Sequence, residues 1–391
     1  ISRTFIPSSI CNLLILKKSV EFIYIIQYFN IGLISLNTYL GKIMKKGIFE
    51  SSHPHIVYFE NGLEQSLNNI LQEKKNLNIL VATNTSLADS AAMNKIKKIL
   101  KHQKVFIVSG LKAHSPRNDV LKVSRVLREN NIDITIGLGG GSVCDTLKVA
   151  NIGATNEFND IEDINKLKTK QQFRGPQSKL VALPTTLSAG EFTCFAGITD
   201  EEVPAKEVFF NKHFSPSAII LDPWLTLDTP DRLFFSTGVR AIDHAVETWC
   251  SSDVAPTHAA MALHGFKILM LSLKQVKSDK QSHASRRECQ IGAWLSIQGV
   301  AGGLDLGASH GIGHILGGSA GMPHGETSCV MLPHVLAYNL SATKKRQGEL
   351  SRQIDIKDKK LNDAISELVS QLGLPTRLRD CNISRDQLFS L

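Results

Sequence analysis

From Ile56 onward the chain alternates short β-branched runs with amphipathic stretches of helical period, and few folds accept that order. IVYF (56–59) is followed by a helical pattern near 63–74, and NILVAT (78–83) by one near 87–100. VFIVS (105–109) leads to one near 117–130, and DITIGL (133–138) to one opening at Gly141. Strands separated by helices pair in parallel, because each helix carries the chain back across a face of the sheet. LVAL (180–183) and AIIL (218–221) extend the strand-rich region, with a hairpin expected between about 194 and 211. After Pro230 the strand signals stop, and long helical patterns take over at 236–250, 258–273, 286–299 and 361–372. The expected fold class is an α/β N-terminal domain on a mainly parallel sheet, residues 44–228, plus an all-α C-terminal domain, residues 229–391. The boundary falls in LDPWLTLDTPDRL (221–233), whose prolines and aspartates read as a turn-rich connection.

At 391 residues, 42% hydrophobic and 20% charged, the chain is long enough for two domains with real cores. Its formal charge of +8 is spread over short clusters such as 95–101 and 344–346, without a long basic block or interleaved aromatics. These are solvated helix faces, and no nucleic-acid partner is expected. Seven cysteines, scattered and without a CxxC, suggest neither a disulfide framework nor a zinc ribbon, and fit a reducing, cytoplasmic location. Residues 19–40 (SVEFIYIIQYFNIGLISLNTYL) carry one charge and, taken alone, have the length and apolarity of a membrane span. However, Met44 followed by KKGIFESSHPHIVYFENG reads as a natural start, and the strand–helix order begins only there. Residues 1–43 are therefore expected to be a non-native or disordered extension, from upstream translation or a misassigned exon, with a signal anchor as the alternative. No membrane association of the fold is expected. Leu391 falls inside a helical pattern, so the chain is expected to be truncated there.

Three stretches carry chemistry. In ITIGLGGGSVCDTLK (134–148) a β-run ends in consecutive glycines and a helix begins. Gly139, Gly140 and Gly141 let backbone N–H groups approach an anion, Ser142 can cap the helix, and a helix N-terminus favours negative charge, so a pyrophosphate fits. A plain strand-to-helix turn is the alternative. In VALPTTLSAGEFT (181–193) paired threonines follow a buried strand; hydroxyls and bare backbone there suit ribose or phosphate, although such loops also serve only as turns. The third stretch pairs STGVRAIDHAVETWC (236–250) with SHGIGHILGGSAGMPHGE (309–326). His310 and His314 lie four apart, on one helix face, while His324 sits in a Gly/Pro loop from which it could reach back toward His244.

Together these stretches resemble the iron-dependent, or group III, alcohol dehydrogenases, from about Ile56 to Asn339 and in the same order. The resemblance implies an N-terminal dinucleotide-binding domain, a helical C-terminal domain, and a cleft between them for nicotinamide and, in most members, Fe²⁺ or Zn²⁺. Carried across by residue, it implies that Gly139, Gly140, Gly141 and Ser142 bind the pyrophosphate with Asp145 following, and that Thr185 and Thr186 lie near the cofactor. Lys206, ahead of Pro216, is implied near the nicotinamide ribose. His244, His310 and His324 match metal ligands, and His314 the histidine beside the nicotinamide that serves proton transfer. TTLSAGE, AHSP (113–116) and RAIDHAVE are most similar to maleylacetate reductases within the family. The implied protein is a cytoplasmic homo-oligomer using NAD(H) or NADP(H) on a small-molecule substrate, an alcohol or carbonyl compound.

Two positions depart from the family pattern. The metal-binding helix usually reads D-x-x-x-H, but the acidic position here is Arg240. Two like unit charges at ~4 Å repel by about 4 kcal/mol at an effective dielectric of ~20. Asp243 is no simple substitute, since one residue rotates it by roughly 100° from the His244 face. Metal binding is thus disfavoured, and in a metal-free site Arg240 is expected to take a catalytic role by binding a substrate carboxylate. Asn84 stands where NAD enzymes of the family often carry Asp, which leaves NADH and NADPH both open. Two other functions are compatible with the architecture: a dehydroquinate-synthase-like lyase, and an inactive protein that retains nucleotide binding.

Overall fold

The computed structural model describes residues 56–169, 172–202, 205–356, 359–385 and 387. The expected extension at 1–43 lies outside the described residues. Six strands form one parallel sheet: β1 (Ile56–Phe59), β2 (Asn78–Thr83), β3 (Lys104–Val108), β4 (Ile134–Gly139), β5 (Lys179–Pro184) and β8 (Ala218–Leu221). Their spatial order is β1-β8-β5-β4-β2-β3. A separate antiparallel hairpin, β6 (Phe195–Asp200) with β7 (Ala205–Phe210), falls where the turn pattern predicts one.

Helices α1 (Gly62–Leu71), α2 (Ala91–Ile99), α3 (Arg117–Glu129) and α4 (Gly141–Thr155) alternate with the first strands. The strand side chains alternate accordingly. Ile79 and Val81 of β2 join Leu63, Met93 and Ile96 in a core on one face. Leu80 and Ala82 join Val120, Val123, Leu127 and Leu147 on the other. A strand buried on both faces reads as a continuous apolar run, which is why NILVAT and AIIL show no polar alternation.

β2 leads through α2 to β3 on one side, whereas β4 leads through α4 to β5 on the other. The connections diverge between β2 and β4, and in open α/β sheets a crevice for ligands opens at the carboxyl ends beside such a point. The glycine turn lies there. Thr83 Oγ1 donates to the Leu138 carbonyl at 2.7 Å, and Thr185 N donates to the Gly139 carbonyl at 3.0 Å, so the ends of β2, β4 and β5 are tied together.

The helical half includes α5 (Asp231–Cys250), α6 (Pro256–Ser278), α7 (His283–Ser296), α8 (Ala308–Ala320), α9 (His324–Tyr338), α10 (Leu340–Gln353) and α11 (Leu361–Gln371), with a short helical turn at Gln298–Ala301. Its core includes Phe234, Val239, Ile242, Phe266, Leu269 and Leu273 and continues into Ala182, Ile219 and Leu221 of the sheet. A Cβ at Gly238 would sit 2.6 Å from a Leu273 methyl, so α5 and α6 approach this closely only because that residue has no side chain. Leu187 N donates to Thr237 Oγ1 at 3.1 Å, fixing the loop after β5 to α5. No helix among the described residues is long and apolar enough to cross a membrane.

Candidate active site

The anion cradle forms where β4 gives way to α4. Gly140 is the N-cap of α4 and brings no side-chain cap; Val143 N donates to the Gly140 carbonyl at 3.1 Å, and the N–H groups of Gly141 and Ser142 ahead of it are left for a ligand. A Cβ at Gly140 would lie 3.0 Å from both the methyl and the hydroxyl of Thr186, and one at Gly139 would lie 2.6 Å from a Val143 methyl. Both glycines are therefore required by close approach, and the cradle fits a dinucleotide pyrophosphate. Ser142 does not cap the helix. Its Oγ accepts the N–H of His114 at 3.0 Å, and its carbonyl accepts Ser115 Oγ at 2.9 Å.

The remaining residues implied for the cofactor surround this turn. Thr185 and Thr186 are buried just past β5; the Thr185 carbonyl accepts Thr229 Oγ1 at 2.7 Å, and the Thr186 and Ser188 hydroxyls are 3.0 Å apart. Asp145 Oδ2 accepts the N–H of Gly197 at 3.0 Å, which ties α4 to the β6 strand. Lys206 lies on β7 opposite Thr199. The Asn84 side-chain oxygen caps a short helical turn by accepting Leu87 N at 3.0 Å.

In the helical half, α5 carries Arg240, Asp243, His244 and Glu247, α8 carries His310 and His314, and α9 opens at His324. His244 and His310 are buried, with rings stacked at 4.7 Å between centroids. His310 Nδ1 lies 2.7 Å from Glu247 Oε2, the oxygen that also receives Gly307 N at 2.9 Å; Oε1 receives Ser309 N at 2.7 Å. Since both carboxylate oxygens accept, Nδ1 is the donor, and Nε2 is the bare nitrogen. Burial pushes both imidazoles well below the usual histidine range, reinforced for His244 by His310 and Arg240 and for His310 by Arg240 and His314. Both are neutral near pH 7.

His324 stands farther out. Its ring meets His314 edge-on at 5.9 Å and His114 at 6.3 Å. His314 is exposed, and His114 and His324 are half-buried, so the histidines run from solvent into the interior. His114 belongs to the α/β half, where it and Ser115 adopt left-handed φ of 65° and 53°. Non-glycine residues there are uncommon, and two in succession persist because Ser142 and Thr199 hold the loop. The AHSP stretch was the only sequence signal of this histidine; nothing local reveals that it meets His324.

A guanidinium among these donors weighs against a divalent cation. Among the described residues, the group whose ligand atoms all lie within 4.8 Å of one another is Asp243, Glu247 and His310. Glu247 is engaged as above and Asp243 Oδ2 accepts Ser309 Oγ at 2.7 Å, whereas Asp243 Oδ1 and His310 Nε2 are buried without a hydrogen-bond partner. Beside the imidazoles, the Arg240 guanidinium donates from Nη1 to the His324 carbonyl at 3.2 Å and brings positive charge into the site. Burial lowers its pKa from the usual guanidinium range, opposed by Asp243 and Glu247. An arginine nevertheless stays protonated at neutral pH.

Comparison with known proteins bears on the same two halves. The profile described as iron-containing alcohol dehydrogenase matches residues 54–223, and that of the C-terminal part of the Fe-containing alcohol dehydrogenase family matches 234–391. The chain is 30% identical over 359 residues to dehydrogenase ALT3 of Alternaria alternata, covering 81% of this chain and 91% of the relative. It is 28% identical over 275 residues to the maleylacetate reductase of Pseudomonas sp. (strain P51), covering 70% of each. The crystal structure of a 1,3-propanediol oxidoreductase superposes with a TM-score of 0.79 at 27% identity, covering 86% of this chain and 90% of the other.

Proposed function

The chain belongs to the iron-containing alcohol dehydrogenase family, and on that footing we propose that it is an NAD(P)-dependent oxidoreductase. In this reading a hydride passes between a nicotinamide and a small alcohol or carbonyl compound in the cleft between the sheet and the helices. The observation that carries it is the juxtaposition of an uncapped helix N-terminus at Gly139–Ser142 with the histidines of α8 and α9, bridged by the His114–His324 ring contact.

Gly139, Gly140, Gly141 and Ser142 would hold the pyrophosphate through backbone N–H groups, with Thr185 and Thr186 beside it and Asp145 keeping the β6 strand in place. Lys206, by the resemblance, is the residue assigned to the nicotinamide ribose. When bound, nicotinamide supplies or accepts the hydride. The chain's own part is to orient the substrate, exclude water from the buried side and move one proton. In reduction, His314 would give that proton to the carbonyl oxygen as carbon takes the hydride; in oxidation it would receive it. His314 suits this because it is exposed, so its proton can be exchanged with solvent. The metal set implied by resemblance, His244, His310 and His324, would then act as hydrogen-bonding imidazoles. Maleylacetate reduction is the finer form of the reading, supported by the maleylacetate reductase relative. A cytoplasmic location and a homo-oligomeric state belong to the same proposal, the former supported by free cysteines at 144, 194, 250, 289, 329 and 381.

The test is coenzyme turnover at 340 nm across alcohols, aldehydes and keto acids with both NAD(H) and NADP(H), and metal content measured on the same sample. Oxidation of reduced coenzyme by a member of the carbonyl panel is expected. Tight coenzyme binding without turnover would favour the inactive nucleotide-binding protein, and product formation without net coenzyme change would favour the lyase.

A further inference from the structure

Arg240 is a cation built into the site by the chain itself. It projects from α5 one turn before His244, and its hydrogen bond goes to the His324 carbonyl, across the site on α9. Among the described residues no carboxylate lies within ion-pair distance of it, although Asp243 and Glu247 are on the same helix. Those two acids are directed to the start of α8, where they hold Gly307, Ser309 and His310. The guanidinium is deep-set but not sealed off, for Arg240 keeps part of its surface accessible. Five N–H donors in a planar fork, with one engaged, leave room for a bidentate anion. Beside it, His310 Nε2 and His244 Nδ1 are buried without a partner among the described residues.

We propose that Arg240 takes the place of the family's divalent cation and selects a substrate whose reacting carbonyl lies close to a carboxylate, a short oxo acid or its hydroxy acid. The inference rests on the hydride-transfer reading of the same cleft. The guanidinium fork holds the carboxylate, and the buried, unpartnered nitrogens of His244 and His310 face the rest of the bound molecule. A simple alcohol offers no anion to pair with the buried charge, so it leaves that charge without its counter-ion and binds less well. Arginine, unlike a metal, cannot be removed by chelation.

The experiment uses the full chain with coenzyme present, malonate as the anionic probe and Zn²⁺ as the metal probe, both followed by calorimetry. Malonate should bind the wild-type coenzyme complex and weaken at least tenfold in Arg240→Gln, with the coenzyme dissociation constant unchanged. Arg240→Lys, which keeps the charge but loses the fork, should fall between them. Zn²⁺ should show no tight stoichiometric site in the wild type and gain at least tenfold in affinity in Arg240→Asp. Equal malonate affinity in wild type and in folded Arg240→Gln and Arg240→Lys overturns the role of Arg240. So does a wild-type chain that binds one Zn²⁺ tightly. Failure of the wild type to bind either NADH or NADPH overturns the hydride-transfer reading instead, whatever malonate does.

Discussion

The Nδ1 atom of His310 donates to Glu247 across two helices at 2.7 Å, and the same carboxylate accepts the N–H groups of Gly307 and Ser309. One side chain on α5 thus closes the N-terminus of α8 and sets the tautomer of the buried imidazole. An acid at a helix N-terminus also opposes the helix dipole favourably.

Glu247→Gln should therefore act on stability and on the imidazole together. The amide has one acceptor oxygen, so an N–H of the α8 terminus or His310 Nδ1 loses its partner, at a cost of roughly 1–3 kcal/mol for a buried donor left unpaired. Urea denaturation should read this loss. Nitrogen NMR of His310 should show a redistribution between its two neutral tautomers. An unchanged tautomer in a destabilised variant would assign Glu247 to the helix cap alone.

Gly140→Val tests the cradle. A Cβ there meets Thr186 at 3.0 Å, and the branches beyond it must enter the space over the first turn of α4. The coenzyme dissociation constant should rise at least tenfold, about 1.4 kcal/mol. Unchanged affinity in a folded variant would remove this turn from the coenzyme site.

A pH-dependent term is expected from Glu191, which is 5% exposed at the end of the loop after β5. Burial pushes its carboxyl from 4.5 up to about 7, against a lowering by a backbone hydrogen bond and by Lys148. An acid that binds its proton more tightly when folded contributes most stability below its unfolded pKa and loses that contribution as pH rises through the folded one. The loss should fall between about pH 4.5 and 7 and amount to on the order of 3 kcal/mol, at about 1.4 kcal/mol per pH unit. Glu191→Gln should reduce the slope of the unfolding free energy over this window, where Glu247, also pushed up by burial to about 7, contributes a like term. A variant with the wild-type pH slope would show that another group is responsible.

Much of the fold was legible because its signals are local. NILVAT and AIIL coincide with β2 and β8, and the glycine run marks the end of β4. Helix ends were less so: the pattern read at 236–250 belongs to a helix beginning at Asp231, whose first turn lacks a side-chain cap to announce it. In the site, the residue types were readable, whereas their partners were not. Ser142 has the composition of a cap, yet a loop 27 and 28 residues away claims both its oxygens. Glu247 stands three positions after His244 but serves His310, 63 residues on. Such pairings depend on how α5 and α8 cross, which no short stretch encodes. Arg240 is the opposite case: its departure from the family pattern was visible in the sequence, and the structure adds that it reaches His324.

The central claim is hydride transfer in the cleft, and deuterium transfer tests it most directly. The purified chain is incubated with NADH or NADPH carrying deuterium at nicotinamide C4, in turn on each face, together with maleylacetate or the most active member of the carbonyl panel. The account predicts one deuterium in the reduced product from one face only, in step with coenzyme oxidation. Product free of label from both faces, or no reduced product while coenzyme is bound, would contradict it.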